Sequence, residues 1–284
     1  MANFIYTGFA DEISSDLTVQ LENLRKNNMR FIEMRAVNDK SILDHSIAEV
    51  KEIKQQLDAY GVKLSAVGSY LGKQPINEPF THAEKFKYTL EIADILEAKN
   101  IRIFSFYIPK GEAPADYKDE VMSRLSYFTE NIKDTGIKLL HENEAGIYGD
   151  SAERCLEIAK AFYSDSFALI FDPANFVHDD FEPYPHAWNL LKDYVEYMHI
   201  KDMLYENHEM RPAGYGDGKI FEILSDLNQR EADIFLSIEP HLANFSGFAS
   251  LERNRISLPA GNNIEKFDLA KASLDEVLKN VSKT

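Results

Sequence analysis

At 284 residues, with 44% hydrophobic side chains that include 18 Phe and 14 Tyr, the chain can fill a large core and is not a disordered protein. Lys and Arg total 31 against 47 Asp and Glu, and the resulting net charge of -16 repels phosphate backbones, which argues against general nucleic-acid binding but leaves a small anionic ligand open. The N-terminus lacks a basic-then-apolar leader pattern and no run approaches the roughly 18 apolar residues of a membrane span, so the expectation is a soluble, cytoplasmic protein with no membrane partner.

Short β-rich runs alternate along the chain with longer amphipathic ones. Strands are expected at 3–9 (NFIYTGF), 30–35 (RFIEMR), 63–69 (KLSAVGS), 101–107 (IRIFSFY), 137–143 (IKLLHEN), 167–172 (FALIFD), 195–201 (VEYMHIK) and 234–240 (IFLSIEP). Between them, DLTVQLENLRKN, SIAEVKEIKQQLDAY, AEKFKYTLEIADILEAK, DEVMSRLSYFTENIKD and SAERCLEIAKAF carry apolar residues at helical spacing. AYGVKL, EAKNIRI and DTGIKLL place Gly or Asn just before the next strand, as a helix stop requires. Asp150 or Ser151 suits an N-cap for the fifth helix, which contains the only cysteine, Cys155; it reads as a small buried hydrophobe and permits no intrachain disulfide. HAWNLLKD supplies a short helix after the sixth strand, and EKFDLAKASLDEVLKNV closes the chain. Strand–helix alternation implies parallel strands with right-handed crossovers. Eight units, without a G-x-G-x-x-G after the first strand, point to a (β/α)8 TIM barrel formed as one domain over residues 1–284.

Placing the strands makes sense of KLLHENE at 138–144, an apolar run that ends in His141, Glu142, Asn143 and Glu144. Glu142 ends strand five, Asp172 strand six, His199 strand seven and Glu239 strand eight. All four therefore meet at the C-terminal rim, where barrels of this kind keep their sites. Two carboxylates about 4 Å apart repel by roughly 4 kcal/mol at an effective dielectric near 20. A divalent cation removes that cost, and three carboxylates with one imidazole suit Mn²⁺, Mg²⁺, Co²⁺ or Zn²⁺.

The blocks TGFADEI, IEMR, GSYLGK, IRIFSF, HENEAGIYGD, DPANF, HIKD, PAGYGDG and IEPH, together with the Glu–Asp–His–Glu rim, resemble the sugar isomerase/epimerase-like proteins of the xylose isomerase-like TIM-barrel superfamily. The resemblance implies a metal-dependent isomerase or epimerase acting on a ketose or aldose, phosphorylated or not. It gives Glu142 and Glu239 as an acid/base pair that also binds the metal, around a metal-stabilised enediolate. Asn175 stands where many similar ketose epimerases place a histidine that holds the substrate's terminal oxygen. Arg211 lies on the loop where similar enzymes place a substrate-binding arginine, and is otherwise a surface charge. Lys201 shares the face of His199 by strand alternation, and Glu33 and Lys73 end or follow strands two and three; each is a candidate substrate contact or a solvated rim residue. His241 is either a support for Glu239 or part of a turn. The Gly-rich PAGYGDG segment before a helix reads as a flexible lid, more weakly as a phosphate cradle. A sugar is the expected partner, and association into a homo-oligomer is compatible with the resemblance. Three other readings stay open: a dehydratase of a sugar-derived acid on the same rim, an endonuclease IV-like repair enzyme, and a non-catalytic sugar-binding barrel. The endonuclease reading needs further histidines where the chain has Gly68, Ser69, Phe106, Tyr107 and Asn175.

Overall fold

The strand–helix beat curls into a nearly closed barrel of eight parallel strands in the computed structural model, which describes residues 1–243 and 261–283. The strands are β1 (Asn3–Gly8), β2 (Phe31–Met34), β3 (Lys63–Val67), β4 (Asn100–Ile103), β5 (Lys138–Glu142), β6 (Phe167–Phe171), β7 (Val195–Ile200) and β8 (Asp233–Ile238). Every expected strand is present. The hydrogen-bonded order is β1-β8-β7-β6-β5-β4-β3-β2, with β1 paired to β8 from Asn3–Asp233 to Gly8–Ile238. β2 lies beside β1 and brings the two ends of the sheet together.

The helices are α1 (Leu17–Lys26), α2 (Ile47–Tyr60), α3 (His82–Ile95), α4 (Lys118–Asn131), α5 (Ala152–Phe162), α6 (Pro173–His178), α7 (Trp188–Leu191), α8 (Ile220–Leu227) and α9 (Asn263–Val281). Local chemistry fixes their ends. Ser46 and Glu49 form a reciprocal capping box on α2, as Asn262 and Glu265 do on α9. Of the two N-caps offered for α5, Ser151 is used, accepting from Arg154 N–H. Gly61 is left-handed after α2, with φ of 67°, as its place before β3 requires. The next turn differs from expectation: Glu97 takes the left-handed conformation, and Asn100 instead opens β4, its side chain donating to the Ser65 carbonyl. The helix expected from HAWNLLKD is reduced to α7. It is preceded by α6, which the alternation does not show but Asp-Pro signals, with Asp172 as N-cap and Pro173 at the first helical position. No helix among the described residues is long and apolar enough to cross a membrane.

Two apolar layers result. The larger lies between sheet and helices and includes Cys155, whose thiol donates to the Gly149 carbonyl and is pushed up in pKa by burial. The smaller fills the barrel, with Ala66, Leu140, Ala168, Ile170 and Tyr197 packed against Phe235. That inner layer is the floor on which the rim residues stand.

Candidate metal centre

Alternation along each strand decides which side chains enter the barrel. On β5, Leu140 and Glu142 face inward, while Leu139 and His141 face the helices. The same step of two carries Ile170 to Asp172, Tyr197 to His199 and Ser237 to Glu239. Above the floor, Glu142, Asp172, His199 and Glu239 each offer a ligand atom within 4.8 Å of the others, all buried.

Each carboxylate has one oxygen anchored by the protein and the other turned to the centre. Glu142 Oε2 accepts from Arg102 Nη1 at 3.0 Å, and Oε1 accepts from His199 Nδ1 at 2.9 Å. Asp172 Oδ1 accepts from the N–H groups of Ala174 and Asn175 at 2.9 and 3.1 Å, which is the α6 cap. Asp172 Oδ2 has no hydrogen-bond donor, although Lys201 Nζ stands 3.0 Å away as an ion pair. Glu239 Oε1 accepts from Arg35 Nη1 at 2.8 Å and contacts His241 Nε2 at 3.2 Å. Its Oε2 lies 3.2 Å from His199 Nδ1 without completing a hydrogen bond. Asn143 stitches the site's base: its amide both donates to the Asp172 carbonyl and accepts from the Asp172 N–H, at 2.9 Å each.

The electrostatics follow from packing three buried carboxylates at the rim. Burial raises the Asp172 carboxyl to about 6, with Lys201 opposing and Glu142 adding to the rise. Burial alone would raise Glu239 as well, but Lys201, His199 and His241 outweigh it and hold Glu239 well below the usual range. Burial would lower His199, yet Glu142 and Glu33 hold it well above the ordinary imidazole value. Both of its ring nitrogens face carboxylates, which only accept, so both carry protons in this arrangement. An extra proton is thus held where a cation is wanted. Two buried carboxylate oxygens without donors, beside a third carboxylate and an imidazole nitrogen, fit a divalent ion.

The remaining candidates separate clearly. Lys201 and Lys73 line the cavity above the centre, together with Arg35, Arg102, Glu144, His178 and His241. Lys73 is paired to Glu144 at 2.7 Å, and Glu144 is held at about 2 because Lys73 and Lys201 overcome its burial. Asn175 also lines the cavity, but its amide is committed: Nδ2 donates to the Asn143 carbonyl at 2.8 Å and to Glu142 Oε1 at 3.3 Å, while Oδ1 accepts from Lys201 at 2.8 Å. Glu33 is fully buried below His199 and does not reach the cavity. Arg211 is outside the cavity lining, half-exposed and paired with Glu209 at 2.6 Å. His241 contacts Glu239, in keeping with a supporting role. His141 faces away from the site, fully buried against Gly149, and burial lowers its pKa to about 4. The PAGYGDG backbone is already occupied, because Asp202 accepts from the N–H groups of Met203, Gly214, Gly216 and Gly218 at 2.9–3.0 Å. That corrects the phosphate-cradle reading: an internal carboxylate fills the nest. Arg35 and Arg102, which anchor the two glutamates, carry no spacing signal of their own in the sequence.

Comparison with curated proteins found no match. Solved structures share the fold. A D-tagatose 3-epimerase-like protein superposes with a TM-score of 0.73 at 20% identity, covering 98% of each chain. A D-allulose 3-epimerase from Methylomonas sp., in complex with D-allulose, gives 0.74 at 14% identity, again with 98% of each chain covered. The IOLI protein with a bound zinc atom gives 0.74 at 16% identity, covering 98% of this chain and 99% of the other. Residues 21–265 match the family model described as xylose isomerase-like TIM barrel, and the chain belongs to that family.

Proposed function

We propose that this protein is a divalent-metal-dependent sugar isomerase or epimerase that moves protons with Glu142 and Glu239. One observation carries the reading. Three buried carboxylates and an imidazole converge within 4.8 Å, each carboxylate with one oxygen anchored by the protein and the other turned inward. Glu142, Asp172, His199 and Glu239 would hold the ion. When bound, a divalent ion supplies Lewis-acid polarisation of a carbonyl and stabilises the negative charge that develops on its oxygen.

The chain's own groups then divide the work. One glutamate takes the proton from the carbon beside the substrate carbonyl, and the electron pair left behind delocalises onto the carbonyl oxygen. The other glutamate delivers a proton, to the opposite face of the same carbon for epimerisation or to the neighbouring carbon for isomerisation. Arg102 and Arg35 keep the two carboxylates aimed, each guanidinium holding one oxygen and leaving the other turned to the centre. Lys201, tethered by Asn175 and lining the cavity, has N–H capacity left for a substrate oxygen. The buried, hydrogen-bonded setting of the two carboxylates lowers the reorganisation cost that a carboxylate base meets in water.

The test is deuterium uptake from D₂O into a panel of ketoses by metal-loaded protein, with Glu142→Gln and Glu239→Gln beside the wild type. Loss of exchange in both variants with an intact fold is expected. Full exchange in either variant would end the two-glutamate mechanism. Elimination of a hydroxyl from the substrate would move the assignment to a dehydratase, and three bound ions per chain to the endonuclease side.

A further inference from the structure

Beneath the centre lies a polar cluster that the proton-transfer scheme does not use. Glu33 of β2 is wholly buried inside the barrel. Three donors from other strands converge on its Oε2: Ser237 Oγ at 2.6 Å, Tyr197 OH at 2.8 Å and His199 Nε2 at 3.2 Å. The cluster continues downward. Ser65 Oγ lies 2.9 Å from Tyr197 OH, 2.7 Å from Thr7 Oγ1 and 3.2 Å from the Ile32 carbonyl. Five strands thus contribute to fixing one carboxylate oxygen.

We propose that Glu33 is the positioning residue for His199, holding the imidazole with Nε2 below and Nδ1 presented to the centre, and so setting the affinity of the site for its ion. The proposal rests on the metal-centre reading above and adds a residue to it. A buried carboxylate is costly where an apolar side chain would pack as well, and this one is not arranged for its own satisfaction. Oε1 has no hydrogen-bond partner, while Ser237, Tyr197 and His199 all converge on Oε2. Phe9 supplies the second constraint, standing edge-on to the His199 ring at 5.3 Å and 80°. Phe9 restrains the plane of the ring, and Glu33 decides which nitrogen faces the three carboxylates. Ring flipping would move Nδ1 away from Glu142, whose contact at 2.9 Å is the shortest His199 makes. A carboxylate behind a metal-bound histidine also raises the basicity of the coordinating nitrogen.

The test titrates the chelator-stripped 284-residue chain with Zn²⁺, comparing wild type, Glu33→Gln and the double variant Tyr197→Phe/Ser237→Ala. Unfolding midpoints are measured without metal in parallel. The expected result is one ion per wild-type chain, bound about 10–100-fold more weakly by Glu33→Gln, with a smaller loss in the double variant. Imidazole ¹⁵N spectra of the Zn²⁺-loaded wild type should show His199 protonated at Nε2 and not at Nδ1. Affinity unchanged within twofold in Glu33→Gln, even with a lower metal-free midpoint, would make Glu33 a purely structural residue and overturn the proposal. If Glu33→Gln does not fold, unchanged affinity in the double variant overturns it equally. A wild type that binds no Zn²⁺ would overturn the metal-centre reading and this proposal with it.

Discussion

Arg102 and Arg35 hold one glutamate each and share a support: their guanidinium groups lie 4.8 and 4.4 Å from the centroid of the Phe9 ring. Arg102 also donates to the carbonyls of Gly68 and Ser69, at 3.3 Å each, so both ends of its fork are tied. Arg35 is tied to Asp11 at 2.9 Å. Replacing Arg102 by Leu would leave Glu142 Oε2 buried without a partner and two carbonyls without their donor. The expected cost is about 3–5 kcal/mol, read from urea unfolding of the metal-free protein, because a broken buried pair strands a charge. Arg211→Ala is the contrast. Its pair with Glu209 is half-exposed at the surface, and removing it should leave the urea midpoint close to that of the wild type. Two arginines of one sequence thus differ several-fold in effect, for reasons of burial alone.

At the scale of elements, the loop from Asp202 to Gly218 is organised around a single carboxylate. Oδ2 accepts from Gly214 and Gly216, and Oδ1 from Met203 and Gly218. A Cβ on Gly216 would lie 2.3 Å from Asp202 Oδ1 and 2.7 Å from Met203 N, so the glycine is there for close approach. In Asp202→Asn, whichever way the amide turns, its NH₂ meets two N–H donors. Amide exchange at two of these four backbone positions should speed up relative to wild type, and proteolysis within 204–218 should accelerate; equal exchange rates would show that the carboxylate is not what holds the loop. The strands and the four rim residues were legible because alternation of two on strands and of 3.6 on helices survives in the sequence. The Gly-rich loop was not, since its backbone N–H groups look free until the register brings Asp202 among them. Glu33 was misplaced for a related reason. It ends a strand, yet the shift in register between Ile32 and Glu33 pairs it with Ala66, at the level of the apolar floor. Depth in a barrel depends on stagger between strands, which one strand's sequence does not carry. Arg35 and Arg102 come from β2's end and β4, far in sequence from the glutamates they hold, and no local pattern links them.

At the scale of the whole molecule, stability responds to pH and to the ion through different parts of the fold. His82, at the start of α3, accepts from Gly72 N–H through Nδ1 at 2.9 Å, which requires a neutral ring, and burial lowers its pKa to about 4. An unfolded histidine takes up its proton near 6.5. Between those values the unfolded state binds more protons than the folded one. Stability therefore falls as pH drops from about 6.5 to 4, by up to about 2 kcal/mol once residual solvent screening is allowed for. His82→Gln should lose that part of the slope in urea midpoints measured from pH 7 to pH 4, and an unchanged slope would show that the ring is not held neutral. An ion held there would act across a wider span, because its four candidate ligands come from the ends of four consecutive strands, β5 to β8. Unfolding any one of these strands dismantles the centre, so binding is linked to the barrel's unfolding rather than to a loop's. A ligand present at a hundred times its dissociation constant, and bound only by the folded state, adds about 2.7 kcal/mol. For a chain of this length that is a rise of about 4–5 °C in midpoint. Mn²⁺ added to chelator-treated protein should produce such a rise in a concentration-dependent way, and Asp172→Ala should not show it. A rise of equal size in that variant would place the ion elsewhere on the acidic surface, since Asp172 Oδ2 is one of the two buried oxygens the centre leaves without a donor.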